Sequence, residues 1–481
     1  MFDRKKQVIR FILYSAALIL VACAVNPVTG KRELMLVSEQ QEIELGAQTD
    51  EQIAATYGIY DNPALTGYVD RLGQNMARLT HRPNLQYHFK VLDTSVINAF
   101  AVPGGYVYVT RGILAYLNDE AELAGVVGHE LGHVNARHSA QQMSQMQLAQ
   151  LGLGLGMMLS EKLQKYAGLV EFGVSMLFLK FSRDNERQAD DLGVEYGSKS
   201  GYDMYRMASF FETLERMDPN SGGGLPDWFS THPNPVDRIG AVNRKVTEYR
   251  KSLPAMQYAL KKDDYLKTVN GIVFGDDPRQ GYVEGNAFYH PSLKITFPIP
   301  AGWQVNNTPS QVQIVSEAQD AVIMLSAVNS SSSSQAADQF IQQTNATVSS
   351  RERVSLNGLQ SEKIVARLVS EQDTLQTLSH FIAKSGTVYV LHGLTGRTGY
   401  SKYAPTFSKT AGGFRNLTDA SKINVKPQTL TVKAATRAGS LRNVLKQFGA
   451  PDGELENLAI MNGMQLTDNV AVGTRIKTVA K

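Results

Sequence analysis

The 481-residue chain has little cysteine, little net charge and no long apolar segment at its N-terminus. Its single cysteine, Cys23, excludes an intrachain disulfide. Lys and Arg total 48 against 45 Asp and Glu, and the net charge of +3 forms no long basic run, so nucleic acid is not an expected partner. The apolar run at residues 11–22 is too short to span a bilayer comfortably. What remains is ordinary globular composition, with a length that predicts two to four domains.

The N-terminus has the pattern of an export signal. Basic residues at positions 4, 5, 6 and 10 precede the apolar run, which ends in Leu20-Val-Ala-Cys23. This ending resembles the bacterial lipoprotein signal that is cut before a lipid-modified cysteine. We therefore predict a signal peptide at residues 1–22 and a lipid on Cys23, and Ala24 resembles the following residue of lipoproteins sent to the outer membrane. A cleaved signal with an incidental cysteine and an uncleaved anchor helix are the alternatives.

The segment His129-Glu130-Leu-Gly-His133 predicts a zinc site. An acidic start at Asp119 and an apolar stripe across residues 123–134 predict that it lies on a buried amphipathic helix. Histidines four apart on a helix are separated by about 40°, so His129 and His133 can converge on one ion. Glu130 lies about 100° further round, where it can take a proton from water. The alternative is a pair of core histidines bound to backbone carbonyls.

A catalytic zinc takes three protein ligands and keeps one open position, so a third ligand must come from elsewhere. His138 is nearest in the chain but falls about 140° off the ligand face. Glu186 and Asp190 are one helical turn apart, so one carboxylate can bind zinc while the other accepts the second ring N–H of a ligand histidine. The alternative is a solvated, charge-rich helix face.

These residues resemble the zinc metallopeptidases related to CAAX prenyl endopeptidase, in particular their bacterial lipoprotein members. The resemblance covers residues 26–250 and rests on five motifs: Asn26-Pro-Val-Thr-Gly30, Asn98-Ala-Phe-Ala-Val-Pro-Gly-Gly105, the His-Glu-x-x-His helix, Glu186-x-x-x-Asp190, and Ser230-Thr-His-Pro233 followed by Asp237-Arg-Ile239. It implies a mainly α-helical zincin domain with zinc ligands His129, His133 and Glu186. It also implies Glu130 as the base, Asp190 as the orienting group, and His232 and Arg238 near the substrate oxyanion.

His232 and Arg238 each have other possible roles. A donor aimed at the developing oxyanion contributes about 2.7–4 kcal/mol, and His232 lies between a Gly-rich run at residues 221–224 and prolines at 233 and 235. A mobile approach would let it swing, so it could instead occupy the open zinc position at rest, or be only a loop residue. Arg238 opens a predicted helix and as easily serves a structural salt bridge.

A small sheet is predicted beside the zinc helix. Residues 86–93 and 106–110 alternate as strands do, with a tight turn at 103–105. A strand edge formed by Asn98, Ala99, Phe100 and Ala101 could bind extended or unfolded polypeptide through backbone hydrogen bonds. A sheet with no exposed edge is the alternative.

The rest of the chain predicts further domains. Apolar stretches at 148–159 and 167–181 predict helices that cover the active site, lie against the membrane face or simply pack. Residues 251–285 predict a linker or covering extension. Residues 286–420 alternate as an α+β domain faintly similar to PsbP-like modules, and 424–481 resemble a divergent LysM module with strand, helix, helix, strand order, which makes peptidoglycan a candidate partner.

The sequence thus predicts a multidomain zinc metalloendopeptidase with one Zn²⁺ per chain, a mainly helical catalytic domain at 23–250 and two accessory domains. It would be lipid-anchored on the periplasmic face of the outer membrane and hydrolyse peptide bonds in unfolded or misassembled proteins. The rival is a non-catalytic envelope adaptor or cell-wall-binding protein with a structural zinc.

Overall fold

The computed structural model describes residues 23–154, 181–217, 228–232, 236–254, 256–369 and 374–480. The predicted signal peptide therefore lies outside the described residues, as do most of the stretch at 148–181 and the Gly-rich run. The chain forms two compact units, one from residues up to 275 together with 429–480, and one from 276–428.

The first unit is mainly helical. Its helices are α1 (Glu39–Tyr57), α2 (Pro63–Ala77), α3 (Arg111–Tyr116), α4 (Glu120–Ala136), α5 (His138–Gly154), α6 (Arg183–Lys199), α7 (Tyr205–Glu215), α8 (Trp228–Thr231), α9 (Val236–Ser252) and α10 (Lys262–Val269). A two-stranded sheet of β1 (Cys23–Val25) and β2 (Arg32–Leu34) precedes them.

Helix α4, which carries the His-Glu-x-x-His segment, is buried on every side. Asp119 caps its N-terminus by accepting a hydrogen bond from the Glu122 backbone N–H, and Arg137 ends it in the left-handed conformation with φ 59°. All 17 helix residues are buried, whereas the sequence predicted an amphipathic helix with one apolar stripe. The faces of α4 that lack large apolar residues are covered by other helices and not by solvent.

The small sheet next to α4 has the predicted strands. In it β3 (His88–Leu92) runs parallel to β5 (Tyr106–Thr110), and β4 (Ala99–Val102) pairs antiparallel with β5 at one edge. In the turn between β4 and β5, Gly104 and Gly105 have positive φ angles of 80° and 94°. Residues other than glycine rarely adopt such angles. The predicted tight turn is confirmed.

Residues 429–480 have the predicted strand, helix, helix, strand order but share the core of the first unit. The elements are β18 (Gln428–Ala434), β19 (Gly439–Ser440), α14 (Leu441–Gln447), α15 (Leu455–Met461), β20 (Asn469–Val470) and β21 (Arg475–Ala480). Leu445 and Ile476 belong to the same buried cluster as Leu114 and Tyr265. The apolar side chains of this segment are therefore buried in part against the rest of the first unit.

The second unit is α+β, as predicted. A seven-stranded antiparallel sheet has the order β10-β11-β12-β16-β15-β14-β13, and a four-stranded sheet has the order β17-β9-β8-β7. The strands are β7 (Tyr282–Glu284), β8 (Ala287–His290), β9 (Ile295–Pro298), β10 (Gln304–Asn307), β11 (Gln311–Val315), β12 (Ala321–Val328), β13 (Thr347–Leu356), β14 (Leu359–Val369), β15 (Thr374–Lys384), β16 (Thr387–Gly396) and β17 (Arg415–Asn416). Its helices are α11 (Ser333–Thr344), α12 (Tyr400–Gly412) and α13 (Ala420–Ile423).

The structure differs from the predicted boundaries in two places. The predicted linker at 251–285 is divided, because α10 and β6 (Val273–Phe274) are built into the first unit and β6 pairs with β18. The predicted separate domain at 424–481 belongs mostly to the first unit for the reason just given. Among the described residues, no helix combines the length and apolar character needed to cross a bilayer.

Candidate metal centre

Four buried side chains meet in the first unit. His129 and His133 come from α4, Glu186 comes from the first turn of α6, and His232 directly follows α8. One potential ligand atom from each lies within 4.8 Å of the others. The three predicted ligands are therefore brought together, and His232 joins them.

The spacing of these atoms fits a metal ion. His129 Nε2 lies 3.1 Å from His133 Nε2 and 3.1 Å from His232 Nδ1, and the Glu186 carboxylate lies 3.0–3.6 Å from the three rings. Tetrahedral ligands at about 2.0–2.1 Å from an ion are separated by about 3.3–3.4 Å. Ring nitrogens that face each other at such distances with no donor to share would repel, so the donor set has the chemistry of a buried site that can bind a metal.

Asp190 orients the first histidine. His129 Nδ1–H donates to Asp190 Oδ1 at 2.9 Å, which leaves His129 Nε2 with a free lone pair for the cluster. Burial raises the pKa of the Asp190 carboxyl, but the Arg238 guanidinium outweighs this effect and the pKa lies below its usual value. The carboxylate is therefore charged and can hold the imidazole in this tautomer.

Arg238 contacts the side chains of Asp190 and Glu186, both on α6. It donates to Asp190 Oδ2 through Nε at 2.7 Å and to Oδ1 through a terminal nitrogen at 2.6 Å, and its other terminal nitrogen lies 3.1 Å from Glu186 Oε2. Its guanidinium also lies over the Phe211 ring. This arrangement is the structural salt bridge that the sequence left open as the alternative to an oxyanion contact.

Glu130 lies beside the cluster without belonging to it. Its side chain is 1% exposed, and its Oε1 atom has no hydrogen-bond partner among the described residues. That oxygen is 3.5 Å from His232 Nε2. Burial raises the pKa of the Glu130 carboxyl, while His232 and His129 oppose the rise. A buried carboxylate with an unused oxygen is costly unless a ligand or a proton uses it.

His232 is held in place by its own short helix. Its backbone N–H donates to the Trp228 carbonyl, and its ring stacks on the Trp228 ring with centroids 4.4 Å apart. The backbone N–H of Trp228 donates to the backbone carbonyl of Ile97, just before the predicted substrate strand. Of the three roles left open by the sequence, this geometry is that of a fourth ligand rather than of a loop residue.

The predicted substrate residues lie at the sheet edge next to the cluster. Strand β4 contains Ala99, Phe100 and Ala101, and within the described chain only β5 pairs with it. Asn98 precedes the strand with a buried side-chain oxygen that has no described partner. A small cavity of about 10 Å³ is lined by residues of both β4 and α4, among them Ala101 and His133.

The sequence did not predict that His138 and Gln188 lie next to the cluster and contact the outer side of His133. His138 Nδ1 lies 2.9 Å from His133 Nδ1, the nitrogen that points away from the cluster, and His138 Nε2 lies 2.9 Å from Gln188 Oε1. His138 is thus no zinc ligand, as the helical geometry predicted. Phe181, half buried, stacks on the His133 ring with centroids 4.1 Å apart. No sequence signal marks these contacts, because they depend on the left-handed turn at Arg137.

The Asn26–Gly30 motif supports the end of α4. Asn26 is buried, and its side-chain N–H donates to the Ala136 carbonyl at 3.3 Å. Its side-chain oxygen Oδ1 accepts from the Val28 and Thr29 backbone N–H groups. Cys23, three residues earlier, begins β1 and is paired with Leu34. Its lipid modification stays a prediction.

Part of the chain that includes the cluster matches known proteins. Residues 63–246 match Peptidase family M48. The chain is 29% identical over 219 residues to the beta-barrel assembly-enhancing protease of Escherichia coli (strain K12), covering 44% of this chain and 45% of that protein. It is also 29% identical over 244 residues to the mitochondrial metalloendopeptidase OMA1 of Schizosaccharomyces pombe, covering 50% of this chain and 68% of that protein. The chain thus spans about half the length of the bacterial relatives.

Solved structures match smaller parts of the chain. A solved cyanobacterial PsbP from Synechocystis sp. PCC 6803 matches 28% of this chain and 96% of its own, with 13% identity and a TM-score of 0.25. A score this low carries no argument about function. The match to Peptidase family M48, by contrast, confirms the resemblance on which the ligand assignment was based.

Proposed function

We propose that this chain, whose residues 63–246 match Peptidase family M48, is a zinc metalloendopeptidase. One observation carries the proposal: a buried Glu130, whose Oε1 accepts no hydrogen bond among the described residues, lies beside four convergent ligand atoms. A structural metal site needs the ligands but not the extra carboxylate.

The chain's own residues would hold one Zn²⁺ through His129, His133 and Glu186. Zinc supplies Lewis acidity toward a peptide carbonyl and toward water. Burial raises the pKa of the Glu186 carboxyl, but His232, His133 and His129 outweigh it and the pKa lies well below its usual value, so Glu186 is charged. Asp190 and Arg238 fix the orientation of His129 and Glu186 from behind.

Glu130 is the proposed general base. Its free Oε1 would accept a proton from the attacking water and then give that proton to the leaving amide nitrogen. Because the surrounding cluster is buried, little bulk water competes for this oxygen. The 3.5 Å separation from His232 Nε2 places a possible donor on the same side of the site.

His232 would have to move for a peptide to bind. With Nδ1 among the ligand atoms, it fills the position that a catalytic site keeps open. Once displaced, its ring could donate to the developing oxyanion, the role implied by the family resemblance. A closed resting state and an active donor are thus two positions of one side chain.

Extended polypeptide is the proposed substrate. An unfolded segment could lie along β4 at the edge of the sheet and bind through backbone hydrogen bonds, which select little sequence. The unpartnered oxygen of Asn98 at the start of that edge could accept from a substrate amide. Peptidoglycan binding by residues 429–480 is a weaker proposal, since much of that segment is used for packing.

The proposed location is the cell envelope, with Cys23 as the lipid anchor on the periplasmic face of the outer membrane. The lipoprotein-like pattern at residues 1–23 supports it, and so does the similarity to a protease named for β-barrel assembly. We propose quality control of unfolded or misassembled envelope proteins as the role.

A non-catalytic adaptor with structural zinc is the second candidate, because four protein ligands complete a closed site. Glu130→Gln separates the two. The proposed enzyme should lose casein hydrolysis while zinc content and fold stay unchanged, and Glu195→Gln on the surface of α6 is the matched control with full activity. Equal activity in wild type and Glu130→Gln would refute the mechanism. No casein hydrolysis by a zinc-loaded wild-type protein would favour the adaptor.

A further inference from the structure

His133 has an unusual partner for a metal-binding histidine. The outer nitrogen of such a histidine commonly donates to a carboxylate, as His129 does to Asp190. His133 Nδ1 instead faces another ring nitrogen, His138 Nδ1, at 2.9 Å. His138 is 1% exposed, so water does not replace this contact.

One proton must lie between the two nitrogens, and its position decides whether His133 can bind a metal. If His133 Nδ1 carries it, His133 Nε2 has a free lone pair directed at the cluster. If His138 Nδ1 carries it, a neutral His133 must be protonated on Nε2, which lies 3.1 Å from His129 Nε2. That tautomer would direct an N–H at the ligand position and exclude the metal.

Gln188 selects between these states. With its Oε1 atom, which only accepts hydrogen bonds, 2.9 Å from His138 Nε2, the amide orientation of Gln188 in this structure puts a proton on His138 Nε2. A neutral His138 with a proton on Nε2 has a bare Nδ1, which accepts from His133 Nδ1–H. The direction of every bond in the series is therefore set by one amide oxygen at its outer end.

The fold provides this series through a break between two helices. Arg137 ends α4 with φ 59°, and His138 begins α5, so its ring returns toward α4 instead of continuing around the helix. Arg137 is fixed by Glu42, whose carboxylate accepts from its Nε at 2.7 Å, and by the Val37 carbonyl at 2.9 Å. Gln188 comes from α6, two residues after the ligand Glu186.

We propose that His138 and Gln188 are positioning residues that hold His133 in the Nδ1–H tautomer and so keep its Nε2 free to bind zinc. This inference rests on the proposed function only in taking His133 as a zinc ligand. The series adds no charge: Asp190 and Glu186 already bring two carboxylates to the cluster, and a third would further weaken the Lewis acidity of the ion.

Zinc affinity, measured by chelator competition in a Glu130→Gln background that cannot digest itself, tests the proposal at both positions. His138→Leu removes the acceptor and should weaken zinc binding about 10–100-fold, whereas His138→Asn, whose amide oxygen can replace Nδ1, should recover most of the loss. Gln188→Glu keeps an acceptor and should bind zinc like the parent. Gln188→Lys offers only donors, forces the opposite tautomer and should weaken binding about 10–100-fold.

Two controls separate position from charge and fold. Asp191→Asn removes one negative charge from the exposed side of α6 and so changes the net charge by the same amount as Gln188→Lys, without touching His138. His88→Leu removes a half-buried histidine on β3. Both should bind zinc like the parent, and all variants should unfold at similar temperatures without metal. In the zinc-loaded parent, ¹⁵N spectra of the histidine rings should show protons on His133 Nδ1 and His138 Nε2.

Equal losses in His138→Leu and His138→Asn, equal affinities in Gln188→Glu and Gln188→Lys, or a proton on His138 Nδ1 would each overturn the inference. These results would leave the proposed function intact, because the parent would still bind zinc. A parent that binds no zinc would overturn both.

Discussion

Replacing Lys477 by Met should destabilise the first unit through the segment that leads into the metal helix. Lys477, on β21, is fully buried, and its ammonium donates to the carbonyls of Ala115 at 2.8 Å and Leu117 at 2.7 Å. These carbonyls belong to the end of α3 and the turn before Asp119, the N-cap of α4. Among the described side chains, only Lys477 donates a hydrogen bond to these two carbonyls.

The magnitude follows from two losses. Methionine keeps the apolar stem but leaves two buried carbonyl oxygens without donors, at about 1–3 kcal/mol each. The two carbonyls together give a loss of about 2–6 kcal/mol and a fall in Tm of roughly 4–24 °C.

The loss should depend on pH. Burial lowers the pKa of Lys477 to about 7, from 10.5, so in this range the unfolded chain binds the proton more tightly. The lysine therefore contributes more stability as pH rises from 7 toward 10.5, and this contribution is lost as pH falls through 7. Burial raises the pKa of Glu122 to about 7, from 4.5, and the contribution of this group is lost as pH rises from 4.5 to 7.

Urea unfolding of wild type and Lys477→Met, with the difference in unfolding free energy taken at each pH, measures both effects. The difference should grow between pH 7 and 10.5, and zinc contributions common to both proteins cancel. Lys267→Met, at a largely exposed position of α10, is the control and should change neither Tm nor pH dependence. A Lys477→Met protein as stable as this control at every pH would refute the reasoning.

Three further predictions concern the site and its location. Glu186→Ala should sharply lower zinc occupancy, and Asp190→Ala should weaken zinc binding about 10–100-fold; full zinc binding by Glu186→Ala would mean that another residue is the third ligand. His232→Ala should leave zinc content unchanged and reduce turnover about 10²–10³-fold if the ring donates to the oxyanion, or raise basal casein hydrolysis if it blocks the site; no change in either rate or coordination would remove it from the mechanism. Cys23→Ser should abolish lipid labelling and release the protein from membrane fractions, and retention after a carbonate wash would contradict the anchor.

The sequence was most informative where chemistry and helical spacing act together. His129 and His133 could be assigned to one face because four residues make slightly more than one turn, and the same spacing connected Glu186 to Asp190. The structure brings the three predicted ligands together and gives Asp190 its contact with His129. These features depend on local geometry, which a sequence pattern carries directly.

Features that depend on distant contacts could not be predicted in the same way. The role of His138 requires a left-handed Arg137, and nothing in that residue's type favours φ 59°. Glu42 and the Val37 carbonyl, about a hundred positions earlier, hold it there. The pattern of residues 424–481 predicts a separate domain because it is complete by itself, yet residues 429–480 share a buried core with the rest of the first unit.

The glycines of α4 explain how the ligands can meet at all. A Cβ atom at Gly132 would lie 2.8 Å from the Ala189 carbonyl oxygen, and one at Gly128 would lie 3.0 Å from that of Gly193, both on α6. Because these contacts involve backbone, side chains at either position would force the helices apart. Glu186 reaches the two histidines from α6, so the short distance between α4 and α6 sets the 3.4–3.6 Å between its carboxylate and the rings. The Gly in His-Glu-Leu-Gly-His is therefore as necessary to the site as the residues that bind or react.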